Sequence, residues 1–263
     1  MKAAKYLAIF RTQLSNRLAY RGDLLVGSLS ILVFMWVFLQ LWRVTYQAGG
    51  GDTIAGLSLQ QTLWYLLLTE SIYMSKPRLS REISEAVKDG SIAYLLNKPY
   101  NFLLYHFSIG LADSLSRFGF NLLSGGALLW LLVSPPPPAL GWPMVLMAVL
   151  LAWAIDFCIQ ALIGLAAFVS EDVAAYDWIY QKLLFILGGM LIPIDFFPLW
   201  LQKLAQALPF QYAMYGPARL FVQPEAEQFF KLVAGQAAWL AALGLLLSLA
   251  YTRGVRRLSV NGG

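Results

Sequence analysis

The sequence has one cysteine, Cys158, and one histidine, His106. A disulfide within the chain is therefore excluded, and so is a histidine metal cluster. Any nucleophile–base–acid set built on histidine would have to use His106. A lone thiol inside an apolar block reads as a small hydrophobe. Charge is also scarce. Asp, Glu, Lys and Arg make up 13% of 263 residues, where an ordinary soluble domain carries about 25%. No Gly-Lys pair occurs, which excludes a Walker A phosphate loop. No internal repeat is visible. No small-residue cleavage site follows the basic N-terminal segment, so that segment is expected to be retained.

What the chain has is apolar sequence: 59% of residues, with a mean hydropathy of +0.62. It comes in blocks of about 20 or more residues, long enough to cross roughly 30 Å of hydrocarbon as helices. The expected fold is all-α and polytopic, a single unit over residues 1–263 with six spans. These are Leu24–Tyr46, Leu59–Ser75, Phe102–Val133, Met144–Ser170, Trp178–Ile194 and Leu232–Thr252. The third and fourth are longer than a crossing needs, which allows tilt or projection beyond the bilayer. Trp42, Tyr65, Trp142, Trp178, Trp200 and Trp239 fall near expected span ends, where headgroups favour such rings.

Basic residues alternate by loop. Lys2, Lys5, Arg11, Arg17 and Arg21 precede the first span. Lys76, Arg78, Arg81, Lys88 and Lys98 follow the second, and Arg253, Arg256 and Arg257 follow the last. The loops between are poorer in them, so both termini are expected in the cytoplasm. The acidic loop Glu171–Asp177 falls inside by the same count, against the trend but with little weight. The net charge of +5 follows this loop pattern and is no nucleic-acid footprint.

Residues 1–23 read as an interfacial helix. Ala3, Leu7, Phe10, Leu14 and Leu18 share one helical face. A bundle-packing helix is the alternative, and Gly22-Asp23 marks the turn into the first span. Residues 24–194 hold five spans and the loop 78–99. In that loop Leu79, Ile83 and Val87 recur at helical spacing, with Arg81, Glu82, Glu85 and Lys88 on the other faces. Gly90 suits a left-handed C-terminal cap, and Ser91 can cap a second short helix, Ile92–Leu96, closed by Pro99. A short amphipathic helix between two spans can dock a soluble partner or lie on its own bundle. Pro135 to Pro138 form a stiff connector.

The segment Leu187–Phe210, LGGMLIPIDFFPLWLQKLAQALPF, does not end like a simple span. It carries Gly188-Gly189, breaks at Pro193, and runs through Asp195, Phe197 and Pro198 into a short helix that ends at Pro209-Phe210. Backbone groups freed by such a break need partners from protein or water. Residues 195–231 are therefore expected to fold part of the way back, before the last span and basic tail at 232–263.

With these motifs in view, the chain resembles the membrane subunit of a type-2 ABC exporter, nearest the bacterial six-span permeases grouped with drug and viologen exporters. Two features carry most of the likeness: Arg81–Asn101, REISEAVKDGSIAYLLNKPYN, and Gly188–Phe210, GGMLIPIDFFPLWLQKLAQALPF. The basic N-terminal helix and the tail Arg253–Arg257 add to it. The resemblance implies that Arg81, Glu82, Ile83, Glu85, Val87, Gly90 and Leu95 form a coupling helix that docks an ATPase. It implies an outer re-entrant gate of Pro193, Asp195, Phe197, Pro198, Pro209 and Phe210. It implies ABC ATPase subunits and a second permease, identical or sister, as partners in the inner membrane. ATP and Mg would then sit on the ATPase chain, with no cofactor, catalytic residue or metal in this one.

Charges inside spans mark functional positions. Glu70, Asp113, Arg117 and Asp156 are the candidates, with Gln160 one turn beyond Asp156. Asp113 and Arg117 stand four apart and can pair on one helix face. Glu70 reads as an interfacial acid near Lys76 and Arg78, or as a contact of the N-terminal helix. Asp156 has no partner in its own helix, which leaves a polar contact in a translocation path or a hydrogen bond to a neighbouring span. Three functions are weighed. The first is an exporter permease for a small amphipathic, drug-like or lipid-like substrate. The second is a secondary transporter or channel using the intramembrane acids. The third, a lipid-modifying enzyme, lacks a clustered catalytic set.

Overall fold

The computed structural model describes residues 2–49, 51–137, 141–170 and 172–261. Met1, Pro138 and Glu171, parts of the expected interfacial helix, connector and acidic loop, lie outside the described residues. The side chains of Ala3, Arg21, Asp23, Arg256 and Arg257 lie outside them too. The chain begins with α1 (Lys2–Ala19) and α2 (Arg21–Gly49). A hairpin of β1 (Thr53–Ile54) and β2 (Leu57–Ser58) follows, a small exception to the all-α expectation. Next come α3 (Leu59–Met74), α4 (Leu79–Lys88), α5 (Ser91–Leu96) and α6 (Phe102–Leu132). Then come α7 (Trp142–Leu165), α8 (Ala167–Ser170) and α9 (Ala174–Ile186). A single 3₁₀ turn, Ile194–Phe196, leads to α10 (Leu199–Gln206), α11 (Pro209–Ala213), α12 (Tyr215–Val222) and α13 (Ala226–Asn261).

Among the described residues four helices are long and apolar enough to cross a membrane: Leu24–Gly49, Phe102–Leu132, Trp142–Ser170 and Ala226–Gly254, with α8 continuing the third of these. They correspond to the first, third, fourth and sixth expected spans. The other two expected spans are shorter helices. The second is α3, with 16 residues, or about 24 Å. The expected fifth, Trp178–Ile194, is corrected to α9, whose 13 residues start earlier and stop at Ile186.

α3 is the centre of the bundle. Every residue from Thr62 to Ile72 is buried, and α2, α6 and α12 pack around it. Its start is fixed by a capping box: the Gln61 N–H donates to Ser58 Oγ at 3.2 Å, and the Ser58 N–H donates to Gln61 Oε1 at 3.0 Å. Tyr65, expected near headgroups, is instead buried mid-helix, and Trp42 is buried as well, while Trp178 and Trp200 are exposed.

The break after α9 has a structural cause. Gly189 takes a left-handed backbone at φ 70°, which a side chain would strain. The carbonyls freed there turn onto α3. The Tyr65 hydroxyl donates to the Gly189 carbonyl, and Thr69 Oγ1 donates to the Met190 carbonyl at 3.2 Å. Tyr65 and Thr69 are one helical turn apart, so one face of α3 satisfies the broken segment. Pro193, expected as the break point, lies beyond it.

Candidate functional site

At the end of the bundle that carries α4, polar side chains from distant parts of the sequence meet. α4 lies with Leu79 and Ile83 buried, and Gly164 on α7 leaves the space that Ile83 fills: a Cβ there would stand 2.8 Å from Ile83 Cδ1. The start of α4 is bonded to two other helices. The Ser80 N–H donates to Gln160 Oε1 at 3.2 Å and Ser80 Oγ to Asp177 Oδ1 at 3.2 Å. Gln160 Nε2 donates to Asp177 Oδ1 at 3.3 Å, and Gln181 Nε2 to Asp177 Oδ2 at 2.9 Å. Arg81 Nε pairs with Asp177 Oδ2 at 3.4 Å. Asp177 thus organises the joint of α4, α7 and α9. Sequence reasoning treated it only as a loop acid. Its place in the first turn of a helix, with Gln181 four residues on, was the available signal.

A second buried group lies beside it. Lys76 Nζ stands 2.7 Å from Asp156 Oδ1, with both side chains buried. The Tyr180 hydroxyl donates to the same carboxylate oxygen at 2.6 Å. The ammonium also lies 5.1 Å and 4.8 Å from the ring centroids of Tyr73 and Tyr180, within cation–π range. Asp156 therefore has a partner, supplied by the end of α3. The expected Asp113–Arg117 pair is corrected. Asp113 accepts instead from α1, with Arg17 Nε at 2.7 Å, Arg17 Nη2 at 2.6 Å and Gln13 Nε2 at 2.7 Å. A two-pronged arginine contact outcompetes a same-helix pair, and it ties α1 to α6. Glu70, at 2% exposure, is enclosed by protein and forms no ion pair among the described residues.

The residues expected to dock a partner divide in two. Glu82, Glu85 and Gly90 are exposed, and so is Arg81. Ile83 is buried, and Val87 and Leu95 are half-buried against Leu79, Ile92 and Phe102. Those three apolar residues fasten α4 and α5 to the bundle, with Val87 and Leu95 still partly exposed. Tyr94, 69% exposed, belongs to the outward surface and was not singled out from sequence. Gly90 takes φ 77°, as its expected cap role requires, but the cap of α5 is different from the one expected. The Ser91 N–H donates to Asp89 Oδ1 at 2.8 Å. Hydrogen bonds from Ser91 hold the Asp89 carboxyl below its ordinary value.

At the other end, Pro198 stands just before α10 and Pro209 begins α11, where a missing N–H costs nothing. Gln202 Nε2 donates to the Phe197 carbonyl at 2.8 Å and closes the turn. Asp195 is half-buried. Tyr215 donates to it at 3.1 Å, and Arg219 Nε lies 3.4 Å away. Together with Gln206, Gln211 and Lys231 they line a cavity of about 460 Å³. Phe210 packs against Tyr180 at a centroid distance of 6.1 Å.

The chain is thus a helical body with an amphipathic helix fastened at one end and several short helices gathered at the other. Residues 32–262 match the family described as ABC-2 family transporter protein. The chain belongs to that family and is the membrane subunit of an ABC transporter. A search of curated proteins gives no match.

Proposed function

We propose that this chain is the permease of an ATP-driven exporter for a small amphipathic or lipid-like substrate. α3 and α9 complete six crossings. Each is short, and protein around its ends satisfies the backbone that would otherwise meet lipid. Both termini face the cytoplasm across an inner membrane, as the basic loops favour. ATP and Mg are held by a separate ATPase that docks on α4 and α5, and a second copy or a sister chain pairs with this one. The segment 195–231 serves as the outer gate.

One observation carries this reading. α4 presents Glu82 and Glu85 outward, while Leu79 and Ile83 lie buried beneath them and Ser80 and Arg81 join it to α7 and α9 through Gln160 and Asp177. A push on α4 therefore reaches two crossing helices without a flexible joint. The ion-coupled alternative loses its best acid, because Asp156 is already matched by Lys76. The test uses the complex co-purified from its host. ATP hydrolysis and transport should persist when the proton gradient is collapsed and ATP stays high. Glu82→Arg with Glu85→Arg should lower transport at least tenfold while the chain still folds. Transport that stops with the gradient and ignores the charge reversal would defeat the proposal.

A further inference from the structure

A cavity of about 430 Å³ opens beside α4, at the polar boundary of the bundle. Its lining includes Lys76, Arg78, Arg81 and Arg117, and a single carboxylate, Asp177. Two of these cations are already matched: Lys76 by Asp156 at 2.7 Å and Arg81 by Asp177 at 3.4 Å. Arg117 was expected to be matched by Asp113, but that carboxylate is taken by Arg17. The guanidinium groups of Arg78 and Arg117 form no ion pair among the described residues. Two guanidinium groups in the lining are thus left without an ion pair of their own. Guanidinium forks suit the paired oxygens of a phosphate.

The same cavity has an apolar wall. Phe34 of α2 lines it together with Ser30, and Leu29, Val33 and Val37 are exposed on the same helix, Val33 at 64%. A free anion would use the arginines alone. A ligand with a charged head and an acyl tail would use both features, placing its tail along α2 where hydrocarbon already lies. A hydrophobic cation would meet the wrong charge.

We infer that this cavity binds an anionic amphiphile, a phosphate-type headgroup held by Arg78 and Arg117 with its acyl chain against α2. Resting on the export reading above, it is the site that selects the transported substrate. The full-length chain, reconstituted in phosphatidylcholine nanodiscs, is titrated with dioctanoyl phosphatidic acid and followed by native mass spectrometry. Arg78→Gln and Arg117→Gln should each weaken binding about tenfold, the loss of one charge-assisted contact. Arg78→Lys and Arg117→Lys, which keep the charge, should lose less and report that the fold is intact. Equal binding of dioctanoyl phosphatidylcholine, or unchanged affinity in the double glutamine variant, overturns the site. Displacement of the lipid by an equal concentration of inorganic phosphate overturns the role of the acyl chain and leaves a soluble-anion site. The two proposals fail separately. An active ATPase complex without phosphatidic acid binding defeats this site alone. Lipid binding without any associated ATPase keeps the site and removes its role in substrate selection.

Discussion

α2 and α3 are neighbours, both apolar, and they face different surroundings. α2 buries Ile31, Met35 and Leu39 on one side and exposes Leu25, Leu29, Val33 and Val37 on the other. α3 is enclosed on all sides from Thr62 to Ile72. Hydropathy cannot separate them, because lipid tails and a protein interior are equally apolar. Polar residues can. α3 holds Thr62, Thr69, Glu70 and Ser71 within its buried stretch. Two of them have visible uses: Thr62 meets the Tyr46 hydroxyl at 2.7 Å, and Thr69 holds the Met190 carbonyl. An exposed hydroxyl on α2 turns back onto its own helix, as Thr45 Oγ1 does to the Leu41 carbonyl at 2.9 Å, whereas these enclosed ones reach other elements. The enclosed helix uses Thr62 and Thr69 to tie other segments to itself, a task the outer face of α2 does not have.

That contrast can be broken most severely at the end of α3. Lys76→Met leaves Asp156 buried with Tyr180 as its remaining partner, and should cost about 3–5 kcal/mol of stability. Thermal unfolding in detergent measures it, and adding Asp156→Leu should recover most of the loss. The direct comparison comes next. Leu67→Ala on α3 should cost about 2–3 kcal/mol through the cavity it opens, while Val33→Ala on α2 should stay within about 0.5 kcal/mol. Equal losses would mean that α2 is as enclosed as α3. Tyr65→Phe is milder, at about 1–3 kcal/mol, because it leaves the Gly189 carbonyl buried without its donor. It should loosen the segment after α9, read as faster amide exchange there and not in α2.

The smallest effect lies outside the membrane. Asp89 has a folded-state value below its unfolded one, so its contribution is present above the unfolded value and fades as pH falls through the folded one. Asp89→Ala should speed amide exchange in α5 at neutral pH and make no difference in strong acid.

Much of this architecture is legible in the residues. The periodicity of Leu79, Ile83 and Val87 marks α4, and long apolar runs mark α2, α6, α7 and α13. The stop of α9 is harder to read. Leu187 and Met190–Ile192 keep the segment apolar past the helix end, and only Gly188-Gly189 hints at the turn. The polar pairings are not legible at all. Arg17 and Asp113 are 96 positions apart, and Lys76 meets Asp156 from the connection between α3 and α4. Helical spacing offered Asp113 the nearby Arg117, and the bundle supplied a stronger partner from α1. The buried side of Ile83 was visible as a stripe, but a stripe does not say whether it faces a partner or its own bundle; Gly164 decides that. Tyr94 stood in plain sequence, with no pattern to show that it faces outward.

The central claim is that the α4–α5 end receives an ATPase and the α10 end does not. Photo-crosslinking from Glu85 and, separately, from Leu199, both exposed, tests it in the native host. The account expects an adduct from Glu85 that mass spectrometry identifies as an ATPase with a Walker A sequence, and none from Leu199. An ATPase adduct at Leu199, or none at Glu85 in cells where transport is active, would contradict it.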